Sequence, residues 1–348
     1  MSRFFSGKYD TLTPYTPGEQ PRGQTFLKLN TNESPFPPAP LAQQYAKGEI
    51  EKLRLYSDPQ CRDLVAMAAE KLGVRENQII FTNGSDDVLN FAFMAFCDAA
   101  HPAVFPDITY GFYSVFAQLN GVPYTEIPLQ PDFTIRVEDY LGLNQTIFIA
   151  NPNAPTGICL PLCDIARIVE SNPDSVVVID EAYIEFAGEP TDCMSFVKAG
   201  RNVVVLRTFS KAYGLAGARC GYAITTRVIA DLLNKARSPF NVNLFAQVGA
   251  LAALDDHEHI VHSVAMVNRG RRQYEEFFES KELEYVPSHT NFILVDVGDG
   301  VDVFRKALAK GVIMRPMAAY GLHRHIRITI GTERENSRCI QVLREISV

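Results

Sequence analysis

Short, mostly apolar runs alternate with amphipathic stretches between about residues 75 and 226. The runs predict buried strands, because strands covered on both faces are apolar throughout rather than alternating. We assign strands to Ile79–Thr82, Ala103–Pro106, Tyr124–Leu129, Thr146–Ala150, Val176–Ile179, Val203–Leu206 and Gly221–Thr226. Helical patterns lie between some of them, at Val88–Phe96 and Cys163–Ser171. The alternation predicts an α/β fold whose parallel sheet is covered by helices on both faces.

Weaker patterns flank this central region. Residues 1–45 are rich in proline and glycine and show little periodicity, which is typical of an extended arm. Residues 228–280 look helical and amphipathic, with a break near Pro239, and short strand and helix patterns follow them. The sequence therefore predicts an N-terminal arm with part of a small domain (1–45), a large domain (46–250) and a small α+β domain (251–348).

Polar side chains follow three successive predicted strands. Asn153 lies after the first, Asp180 ends the second, and Ser210 with Lys211 follows the third. Ligands of parallel sheets bind beyond the carboxyl ends of the strands, so we expect an amide, a carboxylate and an amine to face one crevice. A lysine amine that loses its proton easily is a nucleophile, and forming a Schiff base is its common use.

Other candidate binding residues stand near predicted strands. Gly84 and Ser85 join a strand to a helix, where free N–H groups can bind an anion; a plain helix cap is the alternative. Arg315 and Arg327 lie in apolar strand patterns, so each needs an anionic partner, either a ligand or a salt bridge. Tyr110 follows a strand, where an aromatic ring either covers a planar ligand or packs in the core.

Composition and charge exclude several classes of protein. The chain has 348 residues, 47% hydrophobic and 21% charged, which are ordinary values for a soluble globular protein. A net charge of −7 without a basic cluster argues against nucleic acid as a partner. The sequence shows neither an apolar run of membrane-spanning length nor a signal-peptide pattern. Seven scattered cysteines favour reduced thiols over disulfides or a metal site, so we expect a cytoplasmic protein without a metal.

The chemistry of pyridoxal 5'-phosphate matches these candidates. Its aldehyde requires an amine such as Lys211, and its ring nitrogen requires a carboxylate such as Asp180 to remain protonated. An amide such as Asn153 suits its ring oxygen, while its phosphate suits hydroxyl groups, backbone N–H groups and an arginine. An amino-acid substrate would need a further arginine for its carboxylate.

Longer motifs resemble one enzyme family. NPNAPTG (151–157), DEAYIEF (180–186) and TFSKAYGLAGARCGY (208–222) occur in the order typical of fold-type I, class I/II pyridoxal-phosphate aminotransferases. Further similar pieces are LNTNESPFPP (29–38), LYSDP (55–59), TNGSDD (82–87), PDITYGFY (106–113), TNFILVDV (290–297) and VIMRPM…HIRITIGTEREN (312–336). The arm and the C-terminal piece resemble the histidinol-phosphate branch of this family. The resemblance implies a large domain with a mostly parallel seven-stranded sheet, a smaller α+β domain and an N-terminal arm.

The resemblance also implies a role for individual residues. Lys211 would form the Schiff base and shuttle a proton, and Asp180 would pair with the ring nitrogen. The residues implied at the ring itself are Tyr110, which would stack on it, and Asn153 with Tyr183 at its oxygen. Those implied around the phosphate are Gly84, Ser85, Asp86, Ser210, Arg219 and, from the neighbouring subunit of a homodimer, Tyr56. Those implied to contact the substrate are Tyr15, Asn32, Arg315 and Arg327.

The implied reaction is a transamination in histidine biosynthesis. It would convert L-histidinol phosphate and 2-oxoglutarate into imidazole-acetol phosphate and L-glutamate. Two alternatives would use nearly the same catalytic residues, namely an aromatic or broad-specificity aminotransferase and a pyridoxal-phosphate-dependent threonine-phosphate decarboxylase. A regulatory protein that binds the cofactor without catalysis would carry a DNA-binding segment, and the sequence has no basic helix-turn-helix pattern.

Overall fold

A computed structural model describes residues 25–188 and 191–348, together with Tyr9 and Leu12. Its strands are β1 (Leu27–Lys28), β2 (Ile79–Thr82), β3 (Ala103–Pro106), β4 (Tyr124–Ile127), β5 (Thr146–Ala150), β6 (Val177–Asp180), β7 (Val203–Thr208), β8 (Gly221–Ile224), β9 (Tyr285–Val286), β10 (Phe292–Asp296), β11 (Val312–Ile313), β12 (Arg315–Pro316) and β13 (His325–Thr329). Seven of these strands form the largest sheet, in the order β2-β8-β7-β6-β5-β3-β4. Within this sheet β8 is antiparallel to both neighbours, whereas the other adjacent pairs are parallel. The predicted α/β fold with a mostly parallel sheet is confirmed.

Helices cover both faces of the large sheet. The helices of the described residues are α1 (Pro40–Gly48), α2 (Arg62–Leu72), α3 (Ser85–Phe96), α4 (Phe112–Asn120), α5 (Leu162–Ser171), α6 (Met194–Lys198), α7 (Arg227–Ala236), α8 (Leu244–Asp255), α9 (His257–Glu279), α10 (Gly300–Ala309) and α11 (Glu333–Glu345). Along β6, Val177 and Ile179 belong to one hydrophobic core, and Val178 between them belongs to another. The first core is completed by α2, α5, α6 and α8, and the second by α3, α4 and α7. This two-sided burial explains why the strands are apolar throughout.

A smaller unit contains the C-terminal part of the chain. Its four strands pair antiparallel in the order β12-β13-β10-β9, and β1 pairs in parallel with β11 beside them. α9, α10 and α11 pack on this sheet around a third core that includes Ile293, Val295 and Ile328. The N-terminal segment joins this unit, since Leu29 is buried in the same core and its carbonyl accepts from Thr329 N at 2.9 Å.

Several boundaries differ from the pattern in the sequence. β4 and β8 end at Ile127 and Ile224, two residues before the predicted Leu129 and Thr226. β7 extends past the predicted Leu206 to Thr208, because Arg207 and Thr208 pair with Tyr222 and Gly221 of β8. Arg207 can occupy a buried strand because its guanidinium pairs with buried Glu181 at 2.8 Å. The helical region after residue 226 is broken twice rather than once, and at the second break the Asp256 side chain caps α9.

The predicted domain border between residues 250 and 251 falls inside α8. Ala250 and Ala253 of this helix are both buried in the core of the large sheet. The division into domains stays a prediction, and α8 belongs with the large sheet. In the described ranges no helix is long and apolar enough to cross a membrane.

The carboxyl ends of the parallel strands converge on one edge of the large sheet. β5, β6 and β7 are direct neighbours there and end at Ala150, Asp180 and Thr208. β2 and β3 also end at this edge, while antiparallel β8 begins there. Every loop that follows these strands is therefore placed on the same side of the molecule.

Gly221 fixes the contact between β8 and the turn after β2. A Cβ atom on Gly221 would overlap the backbone of Gly84 and Ser85. Gly84 itself has φ +84°, a left-handed conformation that glycine adopts without strain. The close approach sets the position of the N-terminus of α3 at the converging edge.

We predict that Gly221→Ala lowers the free energy of unfolding by about 1–3 kcal/mol, because the added methyl group displaces the backbone of this turn. Thermal unfolding followed by circular dichroism measures the change. Gly217→Ala is the matched control, since a Cβ there meets nothing within 4 Å. Equal stability of the two variants would contradict the prediction.

Candidate active site

A cavity of about 270 Å³ opens at the converging strand ends. The segment after β1 forms one side of it, and the loops after β2, β3, β5, β6 and β7 form the rest. The lining residues are Thr31, Glu33, Ser85, Asp86, Tyr110, Ala150, Pro152, Ala154, Asp180, Ala182, Tyr183, Thr208, Ser210, Lys211, Ala216 and Arg219. Eight of the residues predicted from the sequence therefore line one cavity, namely Ser85, Asp86, Tyr110, Asp180, Tyr183, Ser210, Lys211 and Arg219.

Lys211 presents its amine to this cavity. It follows Ser210 in the loop after β7, and its Nζ lies 5.5 Å from the centre of the Tyr183 ring. The Tyr183 hydroxyl in turn accepts a hydrogen bond from Asn32 Nδ2 at 2.9 Å. Asn32 is buried behind Tyr183, so the predicted substrate residue Asn32 contacts the site through the tyrosine.

Asp180 places a carboxyl group at the buried end of β6, where it is 6% exposed. One oxygen accepts from Ala182 N at 3.1 Å, and the other accepts from the Tyr113 hydroxyl at 3.2 Å. Burial raises the pKa of Asp180 to about 7, and the neighbouring Asp86 charge adds to this, whereas the two hydrogen bonds and Lys211 oppose it. The negative charge of the carboxylate is therefore only partly compensated, and the group is suited to bind a cationic group of a ligand.

An anion-binding arrangement lies at the N-terminus of α3. Arg219 Nη1 is 3.3 Å from Ser210 Oγ, and Nη2 is 3.1 Å from Asp86 Oδ2. A Cβ on Gly84 would lie 2.5 Å from Arg219 Nη2, so glycine leaves room for the guanidinium there. Backbone N–H groups, the helix dipole, a hydroxyl and an arginine together suit a phosphate group.

Tyr110 is fixed beside this arrangement. Its hydroxyl donates to Asp86 Oδ1 at 2.8 Å, and its ring packs edge-on against Tyr113 at 5.7 Å between centroids. The ring lines the cavity, as expected for an aromatic side chain that covers a planar ligand.

Asn153 lies behind the cavity wall formed by Pro152 and Ala154. Its Oδ1 accepts from Thr109 Oγ1 at 2.8 Å, and its Nδ2 donates to Ile108 O and Thr156 Oγ1, each at 3.0 Å. Both amide hydrogens thus have protein acceptors. Its implied contact with a ring oxygen stays a prediction that would require one of these bonds to be exchanged.

The two predicted substrate arginines lie on the small sheet, outside the set of residues that line the cavity. Arg315 of β12 stands opposite Arg327 of β13 in the strand register. Arg327 donates to Asn30 O at 3.2 Å, and its guanidinium lies 5.0 Å from the centre of the Phe292 ring. These contacts place Arg327 next to the segment that leads to Asn32 and Glu33.

Tyr56 is not brought to this cavity by the described chain. Tyr56 is 84% exposed, and its ring stacks on Phe240 with centroids 4.5 Å apart. Tyr15 lies outside the described residues. Their predicted roles stay predictions.

The sequence reasoning assigned no role to Tyr113 or Glu33. Tyr113 is fully buried in the apolar side of α4, a position that resembles ordinary core packing in the sequence. Its position in the motif PDITYGFY (106–113), three residues after Tyr110, is the available signal in the sequence. Glu33 directly follows Asn32 in the arm motif, yet only the folded chain places it near Lys211.

The chain matches the family model described as aminotransferase class I and II over residues 24–343. It is 40% identical to a histidinol-phosphate aminotransferase of Hydrogenovibrio crunogenus, covering 99% of this chain and 98% of that protein. It is 41% identical to one of Akkermansia muciniphila, covering 92% and 90%. The solved structure of histidinol-phosphate aminotransferase from Sinorhizobium meliloti with pyridoxal-5'-phosphate superposes with a TM-score of 0.90 at 26% identity, covering 100% of this chain and 99% of that one.

We predict that Asp180→Asn stabilises the protein free of bound small molecules. A carboxyl whose pKa is about 7 in the folded chain loses its proton at lower pH when unfolded, so rising pH destabilises the native state between these values. Asparagine does not ionise, so the variant lacks this destabilisation. We expect its free energy of unfolding to exceed that of wild type by about 1–3 kcal/mol at pH 8, and the difference to shrink toward pH 4. Thermal unfolding across this pH range provides the measurement. A variant that is less stable than wild type at pH 8 would contradict the assigned environment.

Proposed function

Since this chain belongs to the aminotransferase class I and II family, we propose that it transfers an amino group from L-histidinol phosphate to 2-oxoglutarate. The products would be imidazole-acetol phosphate and L-glutamate, in a step of histidine biosynthesis. The observation that carries this choice of substrate is the full-length similarity, at about 40% identity, to proteins named histidinol-phosphate aminotransferase.

The cofactor of this family is pyridoxal 5'-phosphate, and the site fits it. The turn at Gly84, where a Cβ would overlap Arg219, leaves a cradle for the phosphate. Buried Asp180 suits the protonated ring nitrogen, and Lys211 supplies the amine for the aldehyde. When bound, the cofactor supplies an electron sink for the carbon that exchanges its amino group.

Three residues of the chain would transfer or hold protons during the reaction. Lys211, within the cavity, would take the proton from the substrate Cα as general base and return it on the neighbouring side. Asp180, held by Tyr113 and Ala182, would keep the proton on the ring nitrogen. Tyr183, fixed by Asn32, would donate to the ring oxygen.

The substrate end would be held from the small sheet. Arg327 is the candidate for the phosphate or carboxylate of the substrate, because a guanidinium binds two anionic oxygens at once. Arg315 stands opposite it in the register and adds a second positive charge there. Tyr15 would close over the substrate side chain.

We further propose that the protein acts as a homodimer. Several apolar side chains along and after α1 are exposed, together with Phe240, which stacks on Tyr56, and exposed apolar side chains of this kind are typical of an interface. These side chains are Tyr45, Ile50, Leu53, Leu55, Tyr56 and Phe240. In the proposed dimer Tyr56 would reach the phosphate bound by the neighbouring subunit.

The substrate is tested by a panel assay of the cofactor-loaded protein. With 2-oxoglutarate as acceptor, we expect kcat/KM for L-histidinol phosphate to exceed that for L-phenylalanine at least about 100-fold, because phenylalanine lacks the hydrogen-bonding ring. Lys211→Ala is the negative control and should lose nearly all turnover. Preference for phenylalanine would support the aromatic aminotransferase, and release of carbon dioxide from threonine phosphate without an acceptor would support the decarboxylase.

The crossing tyrosine is tested by mixing two impaired proteins at a cofactor concentration that saturates wild type but not Tyr56→Phe. Tyr56→Phe should weaken cofactor binding about 10- to 100-fold, because it removes a hydrogen bond to a charged group. A mixed dimer of Tyr56→Phe and Lys211→Ala subunits combines one intact Lys211 with the intact Tyr56 of its partner, so activity should return in one site of two. The control is a Tyr56→Phe/Lys211→Ala double variant mixed with Tyr56→Phe. This mixture forms no site with both residues intact, so its activity should not rise. A monomeric wild type, or mixtures without recovery, would contradict the proposal.

A further inference from the structure

We propose that the Glu33 carboxylate selects the amino donor by accepting a hydrogen bond from its imidazole ring. The inference rests on the proposed function and names the residue that would distinguish the two substrates. Glu33 lines the same cavity as Lys211, in a part of the chain 178 residues away in sequence. It lies close enough for the Lys211 charge to act on it.

The segment that carries Glu33 is held firmly at the cavity. Asn32 N donates to Thr329 Oγ1 at 3.0 Å, and Asn291 Nδ2 donates to Asn32 O at 2.9 Å. Asn32 Nδ2 also binds the Tyr183 hydroxyl. The segment around Asn32 therefore contacts both the small sheet and the loop after β6 of the large sheet. Glu33 is the next residue and lines the cavity.

Glu33 is present as a carboxylate. Burial alone would raise its pKa, but hydrogen bonds from Lys28 and Thr31 outweigh this and lower the pKa below its ordinary value. Lys28 Nζ lies 2.6 and 2.7 Å from the two oxygens, and Thr31 Oγ1 lies 2.7 Å from Oε2. A carboxylate accepts about four hydrogen bonds, so these three contacts leave acceptor capacity on Oε1.

The two substrates of the reaction differ at the group that would meet Glu33. The imidazole ring of the donor offers an N–H group, whereas 2-oxoglutarate and glutamate carry a second carboxylate. A negative charge in the cavity wall attracts the first group and repels the second. Removing the charge should therefore weaken the binding of L-histidinol phosphate without weakening the binding of L-glutamate.

The experiment follows each half-reaction separately by the absorbance of the bound cofactor after rapid mixing. In Glu33→Gln we expect the apparent dissociation constant of L-histidinol phosphate to rise about 5- to 10-fold, as a charged acceptor becomes a neutral one. The constant for L-glutamate should fall or stay unchanged. The limiting rates should change little, because Glu33 contacts the ring and not the reacting carbon.

Two control variants separate the carboxylate from its ion pair. Glu345→Gln removes a comparable surface carboxylate, which pairs with Lys310 at 2.8 Å far from the cavity, and should leave both constants unchanged. Lys28→Met breaks the pair but keeps the Glu33 charge, so the preference for L-histidinol phosphate over L-glutamate should persist.

The inference is overturned if Glu33→Gln weakens both substrates by the same factor or affects neither. It is also overturned if Lys28→Met reproduces the loss seen in Glu33→Gln. These results are distinct from failure of the proposed function, in which the wild-type protein itself would not react with L-histidinol phosphate.

Discussion

The buried carboxyl group of Asp180 is the constraint around which the cavity is arranged. A charge at the end of a central strand is unfavourable unless hydrogen bonds and opposite charges compensate it. Tyr113 and the N–H of Ala182 supply two hydrogen bonds, but the pKa of this group still lies at about 7 because burial and Asp86 dominate. The protonated ring nitrogen of the cofactor would place a positive charge beside this carboxyl group and favour its ionised form. The burial that makes ionisation of Asp180 unfavourable in the folded chain would thus favour binding of a cationic group there.

The carboxylates that line the cavity differ in how they are neutralised. Asp86 pairs with Arg219 at 3.1 Å, and Glu33 pairs with Lys28 at 2.6 Å. In the described part of the chain, Asp180 has hydrogen bonds but no salt bridge. This difference separates the chemistry of the three groups. The paired carboxylates are each held by a neighbouring cation, whereas burial raises the pKa of Asp180, so a cationic ligand would favour its ionised form.

Much of the fold could be predicted because its strands are buried on both faces. Apolar runs that end in Asp180 or lead to Lys211 indicate both a parallel sheet and a site at its carboxyl edge, and the cavity contains both residues. The extension of β7 could not be predicted, because the pairing of Arg207 with Glu181 depends on a neighbouring strand. The role of Tyr113 was hidden for a related reason. A tyrosine in an apolar helix face is usually core, and here it is core and a donor to Asp180 at once.

The position of the segment around Asn32 was harder to predict from the sequence, because it depends on contacts with residues from both sheets. Asn32 adopts φ +55°, an uncommon conformation for a residue other than glycine, and it donates hydrogen bonds to the hydroxyl groups of Thr329 and Tyr183. A strained residue persists where its surroundings determine its conformation, and here those surroundings come from two different sheets. Arg327 of the small sheet, which bonds Asn30, is thereby connected through two further residues to the Tyr183 hydroxyl. If Arg327 binds the substrate as proposed, the anion would contact the same short segment that fixes Tyr183, and this segment would connect the substrate site to the cofactor site.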